Sequence, residues 1–478
     1  MFGSTQKIVC LLLMGITSSF SWGTRITDSL YSSALDQVMP LEIFLPEGYN
    51  QTDSTTRYPV IYKLHYFHGN YTTGGMELEG ELMSGAAIQP VIIVKPQAYV
   101  DPFVGAWWIN SEFHGNYEEY LGVDIVSFID SAYMTIANKD CRALFGISMG
   151  GYGSMINGLK YPDRFSSVAS LSGTPMSFNW LEQRVQEEIL PENGGQGPFD
   201  PTTGHATELA FSWAAVFSPN PSNEPYGVDL PFDNQGNIID SIYALWEQGT
   251  AAYWASQSSP DLDLDIYFNV GNVDAGYSEQ YYLQGNSALS DTFNALGISH
   301  RFEIWNCGHV QQWDQRKAVC YAFLDSSLYD GIPMVTEMKV SPHYVDLIDP
   351  VVTITSDVMN LQAILITVEC IIREQGVGDV DTISLFDDGT HGDIEAGDNV
   401  WSTEWNVPAY SGFWSANVRT IEIENEIKHP SALVDRFTTS GPLEFINITS
   451  SNDDYPNPND SYMFNCSVWS QTNSVHLI

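Results

Sequence analysis

The chain has 478 residues, about three times the common domain size, so a small disulfide-stapled scaffold is excluded and two or three domains are expected. Its composition, 44% hydrophobic and 13% aromatic with 16% charged residues, is that of a folded protein rather than a disordered one. With 59 Asp and Glu against 18 Lys and Arg the formal net charge is −41, a field that repels phosphate backbones and anionic lipid, so neither nucleic acid nor a membrane surface is an expected partner. The same acidity suits a salty medium, where screening shortens repulsion, and equally an ordinary extracellular protein. Charge therefore speaks to solubility and not to activity.

The N-terminus, MFGSTQKIVCLLLMGITSSFSWG, joins Lys7 to a short apolar run, Ile8 to Ile16, and to Ser19-Phe20-Ser21, which together describe a secretory signal peptide over 1–23. That run is too short to span a bilayer, and no later stretch reaches about 18 apolar residues. A soluble, secreted or periplasmic mature protein is expected. Cys10 leaves with the signal, and the remaining Cys141, Cys307, Cys320, Cys370 and Cys466 include no CxxC pair, which argues against zinc and a thioredoxin-like site. Buried free thiols are expected for most of them. Cys307 with Cys320 is the pair to test for a disulfide, which an oxidising compartment permits.

From about 40 to 330, short β-branched runs alternate with helical periods. PVIYKL (59–64), PVIIV (90–94), RALFG (142–146), SVASLSG (167–173), DIYFNVG (265–271) and RFEIW (301–305) read as strands, several of them apolar throughout, as in a sheet covered on both faces. Helices are expected over 118–137, 149–160, 279–296 and 312–327. This alternation predicts a doubly wound, mostly parallel α/β sheet within 24–332. Residues 175–262 break the rhythm with Pro, Gly and Asn, carry modest helical pieces near 178–189 and 241–255, and are expected to form a lid or substrate wall. A boundary falls at 330–336. Residues 333–440 then offer regularly spaced strands and no convincing helix, predicting an immunoglobulin-like β-sandwich, while 441–478 opens a partial β segment that ends abruptly, as in a truncated chain.

Ser148 lies in LFGISMGGYGSM, between Gly146 and Gly150. A Gly-x-Ser-x-Gly pattern is common by chance, but here it follows an apolar strand and opens a helix, the geometry of a nucleophile elbow. Side chains at 146 and 150 would collide with the adjoining strand and helix. A serine hydroxyl needs a base and a carboxylate to orient that base, and in this fold class the chain order is Ser, acid, His. His309 is the one downstream histidine in a loop directly after a late strand of the α/β domain. Asp274, just past the strand ending at Gly271, is the expected acid, whereas Glu279 and Asp291 read as helix-capping or solvated residues. The oxyanion needs backbone donors: the N–H of Met149, and a second from the loop YKLHYFHGN (62–70).

The segments LEIFLPEGYN…RYPVIYKLHYFHG, GISMGGYGSM…YPDRFSSVASLSG, VGNVDAGY and CGHVQQW, spanning about 38 to 328, resemble the "Putative esterase" family, which includes S-formylglutathione hydrolases, feruloyl and acetylxylan esterases, enterochelin esterases and mycolyltransferases. The resemblance implies an α/β-hydrolase fold, a Ser148-Asp274-His309 triad and oxyanion donors at Met149 and Phe67. In the early loop Tyr66 stands where the family usually has a glycine. Trp107 and Trp108 occupy the family's loop before the helix that precedes the elbow strand, and read equally as substrate-pocket lining or as core. In the β region, DDGTHGDIEAGD (387–398) sets carboxylates among glycines; tight Asx turns are favoured over a calcium site, and no metal is expected.

The expected function is that of a secreted serine esterase acting through an acyl-enzyme, with no cofactor, on ester substrates leaning to feruloyl or acetyl esters of plant polysaccharides, with glycan contact through the β domain. Two rivals use the same chain differently: an acyltransferase of the mycolyltransferase type, and a catalytically silent protein that binds glycan or cell wall.

Overall fold

Strands β1 (Thr24–Ser32), β2 (Gln37–Leu45), β3 (Val60–Leu64), β4 (Ile92–Pro96), β5 (Arg142–Ile147), β6 (Ser167–Leu171), β7 (Asp265–Gly271) and β8 (Arg301–Trp305) form one sheet in the order β1-β2-β4-β3-β5-β6-β7-β8 in the computed structural model. The structure describes residues 23–274, 278–346, 350–360 and 362–440, together with the backbone of three strands beyond 440. Of the expected signal peptide over 1–23, residues 1–22 lie outside them. From β4 through β8 all neighbours are parallel, and their inner strands are buried at nearly every position because helices cover both faces. Helix α1 (Met149–Lys160) puts Met155 and Ile156 into the core on one face; α4 (Trp313–Leu328) puts Cys320, Tyr321 and Leu324 into the core on the other. Helix α3 (Glu279–Leu296) connects β7 to β8.

The antiparallel pair β1 and β2 extends the sheet beyond the strands read from the sequence. Residues 175–262 are more regular than their Pro and Gly content implied. They contain α2 (His205–Phe217) and helices at Leu181–Arg184, Asp240–Gln248 and Ala251–Ser256, and they bury Phe178, Trp180, Trp213 and Trp246 against one another, with Phe178 and Trp246 ring centroids 4.9 Å apart. Such a cluster makes the excursion part of the main core. No described helix is long and apolar enough to cross a membrane.

Residues 334–440 form a three-stranded sheet (Met334–Ser341, Val351–Met359, Val400–Asn406) and a five-stranded sheet built on Ile366–Glu374, Gly412–Glu422 and Lys428–Ser440. Val352, Ile354, Val368, Ile372, Trp405 and Trp414 share the core between them. This region meets the α/β part through backbone bonds of Lys428: its carbonyl accepts from Arg57 N (3.3 Å) and its N–H donates to Thr55 O (3.0 Å). Beyond it, Glu444–Ser450, Phe464–Trp469 and Ser474–His476 pair as one antiparallel sheet. Cys141, Cys307, Cys320 and Cys370 are buried free thiols, as expected for most of the cysteines, and the pair to test, Cys307 and Cys320, is not bridged: the Cys307 sulfur faces Arg316 Nη1 at 3.7 Å and the Cys320 sulfur faces Asn269 Nδ2 at 3.6 Å.

Candidate active site

Ser148 is the residue at which β5 turns into α1, and it holds φ 56° and ψ −117°, a left-handed conformation unfavourable for a residue with a side chain. The turn is possible only because its flanks are bare: a Cβ on Gly146 would sit 2.2 Å from the Gly150 carbonyl, and one on Gly150 would sit 2.1 Å from Leu64 O. Ser148 N donates to Leu171 O at 2.9 Å, which ties the elbow to β6. The first amide of α1, that of Met149, is one of the first-turn N–H groups that an α-helix leaves without an intrahelical acceptor.

The loop after β3 carries Phe67. Its shape is held by His65, whose Nδ1 lies 3.0 Å from Tyr66 O and whose Nε2 accepts from Ala98 N at 2.9 Å, so the ring is a neutral imidazole protonated on Nδ1. Burial pushes its pKa down to about 4, consistent with that state. Phe67, with Tyr66, lines a cavity of 260 Å³ that also contains Ser148, His309, Tyr282, His205 and Leu209. His205 and Leu209 lie on α2, so the excursion 175–262 supplies one wall of that cavity. A cleft of 280 Å³ between the α/β part and the β region contains neither Ser148 nor His309.

His309 follows β8 and is 5% exposed. Its Nδ1 lies 2.7 Å from Glu279 Oε2, its ring packs on Tyr282 with centroids 4.9 Å apart, and its carbonyl accepts from Trp313 Nε1 at 2.8 Å. Glu279, the first residue of α3, is fully buried, and its other oxygen accepts from Ser172 Oγ (2.7 Å) and Gly271 N (2.9 Å). Burial alone would raise its pKa, but the hydrogen bonds from His309, Ser172 and Gly271 outweigh burial and hold the carboxyl below the usual range. A carboxylate at a helix N-terminus is favoured by the helix dipole as well.

The expected acid is therefore corrected. Asp274 is solvent-exposed and accepts from Gln280 N at 3.0 Å, capping the start of α3, whereas Glu279 holds the histidine. Asp274 is nearer the end of β7 in sequence, but the loop doubles back so that the Gly271 amide meets the Glu279 side chain. Trp107 and Trp108 are core residues and do not line the cavity. Trp107 stacks behind Phe67 at 5.8 Å and donates to Ser212 Oγ at 2.7 Å, while Trp108 packs over Gly153. Thr174, His205, Leu209 and Tyr282 were missed as cavity residues; only Tyr282, one turn beyond Glu279, had a signal in spacing.

In the β region the carboxylates of Asp387, Asp393 and Asp398 lie within 4.8 Å of one another, close enough to share a cation. Asp387 accepts from the amides of Gly397, Asp398 and Asn399 across the loop, and Asp393 from those of Gly389 and Glu395; the local Asx bond, to the amide two residues on, is made by Asp388 to Thr390, Asp393 to Glu395 and Asp398 to Val400.

The family model described as "Putative esterase" matches residues 32–317, a span that contains Ser148, Glu279 and His309. The chain is 30% identical over 180 residues to Esterase Rv1288 of Mycobacterium tuberculosis (strain ATCC 25618 / H37Rv), covering 34% of this chain and 38% of that protein. It is 27% identical over 153 residues to an endo-1,4-beta-xylanase/feruloyl esterase of Xylanibacter ruminicola, covering 30% of this chain and 21% of that protein. The chain thus spans well under half the length of these curated relatives. A solved ferulic acid esterase aligns over 64% of this chain and 99% of its own, at 18% identity and a TM-score of 0.44. With the family match running through the whole parallel sheet and across the Ser148 elbow, the chain belongs to the "Putative esterase" family and has the α/β-hydrolase fold.

Proposed function

We propose that this protein is a secreted serine esterase in which Ser148 is the nucleophile, His309 the general base and Glu279 the residue that orients the imidazole. The observation that carries the reading is the buried 2.7 Å contact between His309 and Glu279, at a cavity whose other catalytic group is a serine on a strained, glycine-flanked elbow. In this reading Ser148 Oγ attacks the ester carbonyl as His309 Nε2 takes its proton, and the tetrahedral oxyanion is received by the amides of Met149 and Phe67. Collapse breaks the bond to the leaving alcohol, which takes the proton from His309. Water, activated by the same imidazole, then cleaves the acyl-enzyme. Every step is served by side chains and amides of this chain.

Feruloyl and acetyl esters on plant polysaccharide are the substrates we favour. Support comes from the feruloyl esterase relative, from the aromatic and aliphatic lining contributed by Tyr66, Phe67, Leu209 and Tyr282, and from an N-terminus that reads as a signal peptide. The test is hydrolysis of 4-nitrophenyl acetate and methyl ferulate by the mature protein beside Ser148→Ala. Turnover should fall on the order of 10⁴-fold or more in the variant. Equal activity of the two proteins would remove Ser148 from the mechanism, and the ratio of the two esters in the wild type defines the acyl preference.

A further inference from the structure

Behind Glu279 lies a buried cation that the triad does not use. Arg316, on α4, is fully buried; its Nε donates to Asn269 Oδ1 at 2.9 Å and its Nη2 donates to Ser172 Oγ at 2.6 Å. Ser172 in turn donates to Glu279 Oε1 at 2.7 Å. A hydroxyl has one proton, so a guanidinium donating into the Ser172 lone pair commits that proton to the carboxylate. Ser172 is fully buried and holds φ 44°, in the left-handed region that favours glycine, while its N–H is fixed on Asn269 O at 2.7 Å. A strained serine where glycine would be relaxed points to a need for the hydroxyl. Among the described residues, the other ionisable groups around the carboxylate are His309 and Cys307 from the loop after β8, and Tyr282 from α3 with Arg184 packed against its ring at 5.8 Å.

We propose that Arg316 and Ser172 are positioning residues for the acid: Arg316 locks the Ser172 hydroxyl onto one carboxylate oxygen of Glu279, leaving the other fixed on His309 Nδ1, and its buried charge favours the carboxylate–neutral imidazole form of the pair. This rests on the reading of Ser148, His309 and Glu279 as a triad. Loss of the positive charge, or of the donor to the carboxylate, makes the pair hold its proton more tightly, so the acid limb of kcat/KM moves to higher pH.

The experiment is to measure kcat, KM and the pH profile on 4-nitrophenyl acetate for wild type, Ser172→Gly, Arg316→Met, Arg316→Lys and Ser148→Ala. Ser172→Gly relaxes the backbone at its position, so it tests the hydroxyl in a folded protein. Its kcat should fall about 10- to 100-fold with KM unchanged, and its acid limb should rise. Arg316→Lys keeps the charge and should keep the wild-type limb, while Arg316→Met should not. Wild-type kcat and limb in Ser172→Gly, or a kcat loss with an unmoved limb, would overturn the proposal while an inactive Ser148→Ala left the triad standing. An active Ser148→Ala would mean that the triad reading itself had failed.

Discussion

Glu279 and Asp274 are five positions apart, and only one of them is buried against His309. Glu279→Gln keeps the shape but replaces an acceptor with an amide, so His309 loses its orientation; kcat should fall by about 10⁴-fold. Asp274→Asn should leave kcat unchanged, and a steady-state assay of the two variants on 4-nitrophenyl acetate decides between them. The positions of Ser148 at a strand-to-helix elbow and of His309 in a loop after a strand were legible in the sequence, because each follows a strand end and the elbow glycines mark the serine. The carboxylate that meets His309 was not legible: its loop folds back by three-dimensional contacts, Gly271 N–H to Glu279 and Ser172 to Glu279, that no spacing encodes. The same limit applies to Trp107 and Trp108. Aromatic pairs in a loop read alike as pocket or core until their neighbours are known, and here Ser212, Gly153 and Phe67 settle them as core.

At the scale of elements, the join of β3, β5 and α1 tolerates no added volume. Gly150→Ala would drive a methyl group against Leu64 O, now 2.1 Å from the ideal Cβ position, and should destabilise the protein by about 1–3 kcal/mol or more in urea unfolding. Trp107→Phe should cost about 1–3 kcal/mol, through lost volume and the lost donor to Ser212 Oγ, which keeps its own bond to Phe103 O, with KM for methyl ferulate unchanged; a raised KM at wild-type stability would return this residue to the substrate pocket. Helices α1, α3 and α4 and the six strands from 59 to 305 were legible because each carries a periodic or continuous apolar signal bounded by turns. Helix α2 was not. HATELAFSWAAVF is buried on nearly every side, so it shows no polar stripe, and it begins after a glycine that offers no cap of its own, its first amides being taken instead by Glu192, well upstream in sequence. Strand β1 was missed for the opposite reason, as a largely exposed edge strand with little apolar content.

For the whole molecule, 59 acidic residues against 18 basic ones leave repulsion as the dominant long-range term at neutral pH. Thermal unfolding should therefore shift upward as sodium chloride is raised from about 10 mM to about 500 mM, because screening shortens that repulsion from about 30 Å to under 8 Å. Acid acts through specific groups. His65 is buried and His114 half-buried, and desolvation pushes both pKa values down from 6.5 to about 4, so between those values the unfolded chain binds protons that the folded one refuses. Each contributes stability that is lost as pH falls from 6.5 towards 4, roughly 3 kcal/mol at most per group. Glu279, held below the usual carboxylate range, contributes stability present above its unfolded pKa and lost as pH falls through its folded one. His205 and His429, also held down by burial, add to this slope, while Asp325, whose carboxyl burial pushes up to about 6, opposes it; in urea unfolding over this range the slope of stability against pH should fall by about one proton in His65→Gln. The change of composition near 330 announced an all-β region, but its docking through Lys428 on Thr55 and Arg57 depends on pairings far apart in sequence. The measurement that bears most directly on the account is to mix the protein with 4-nitrophenyl acetate, quench within the first turnovers and locate the acetyl group by peptide mass spectrometry. One acetyl is expected on the peptide containing Ser148 and none in Ser148→Ala; an acetyl on another residue, with turnover intact in that variant, would rule out Ser148 as the nucleophile.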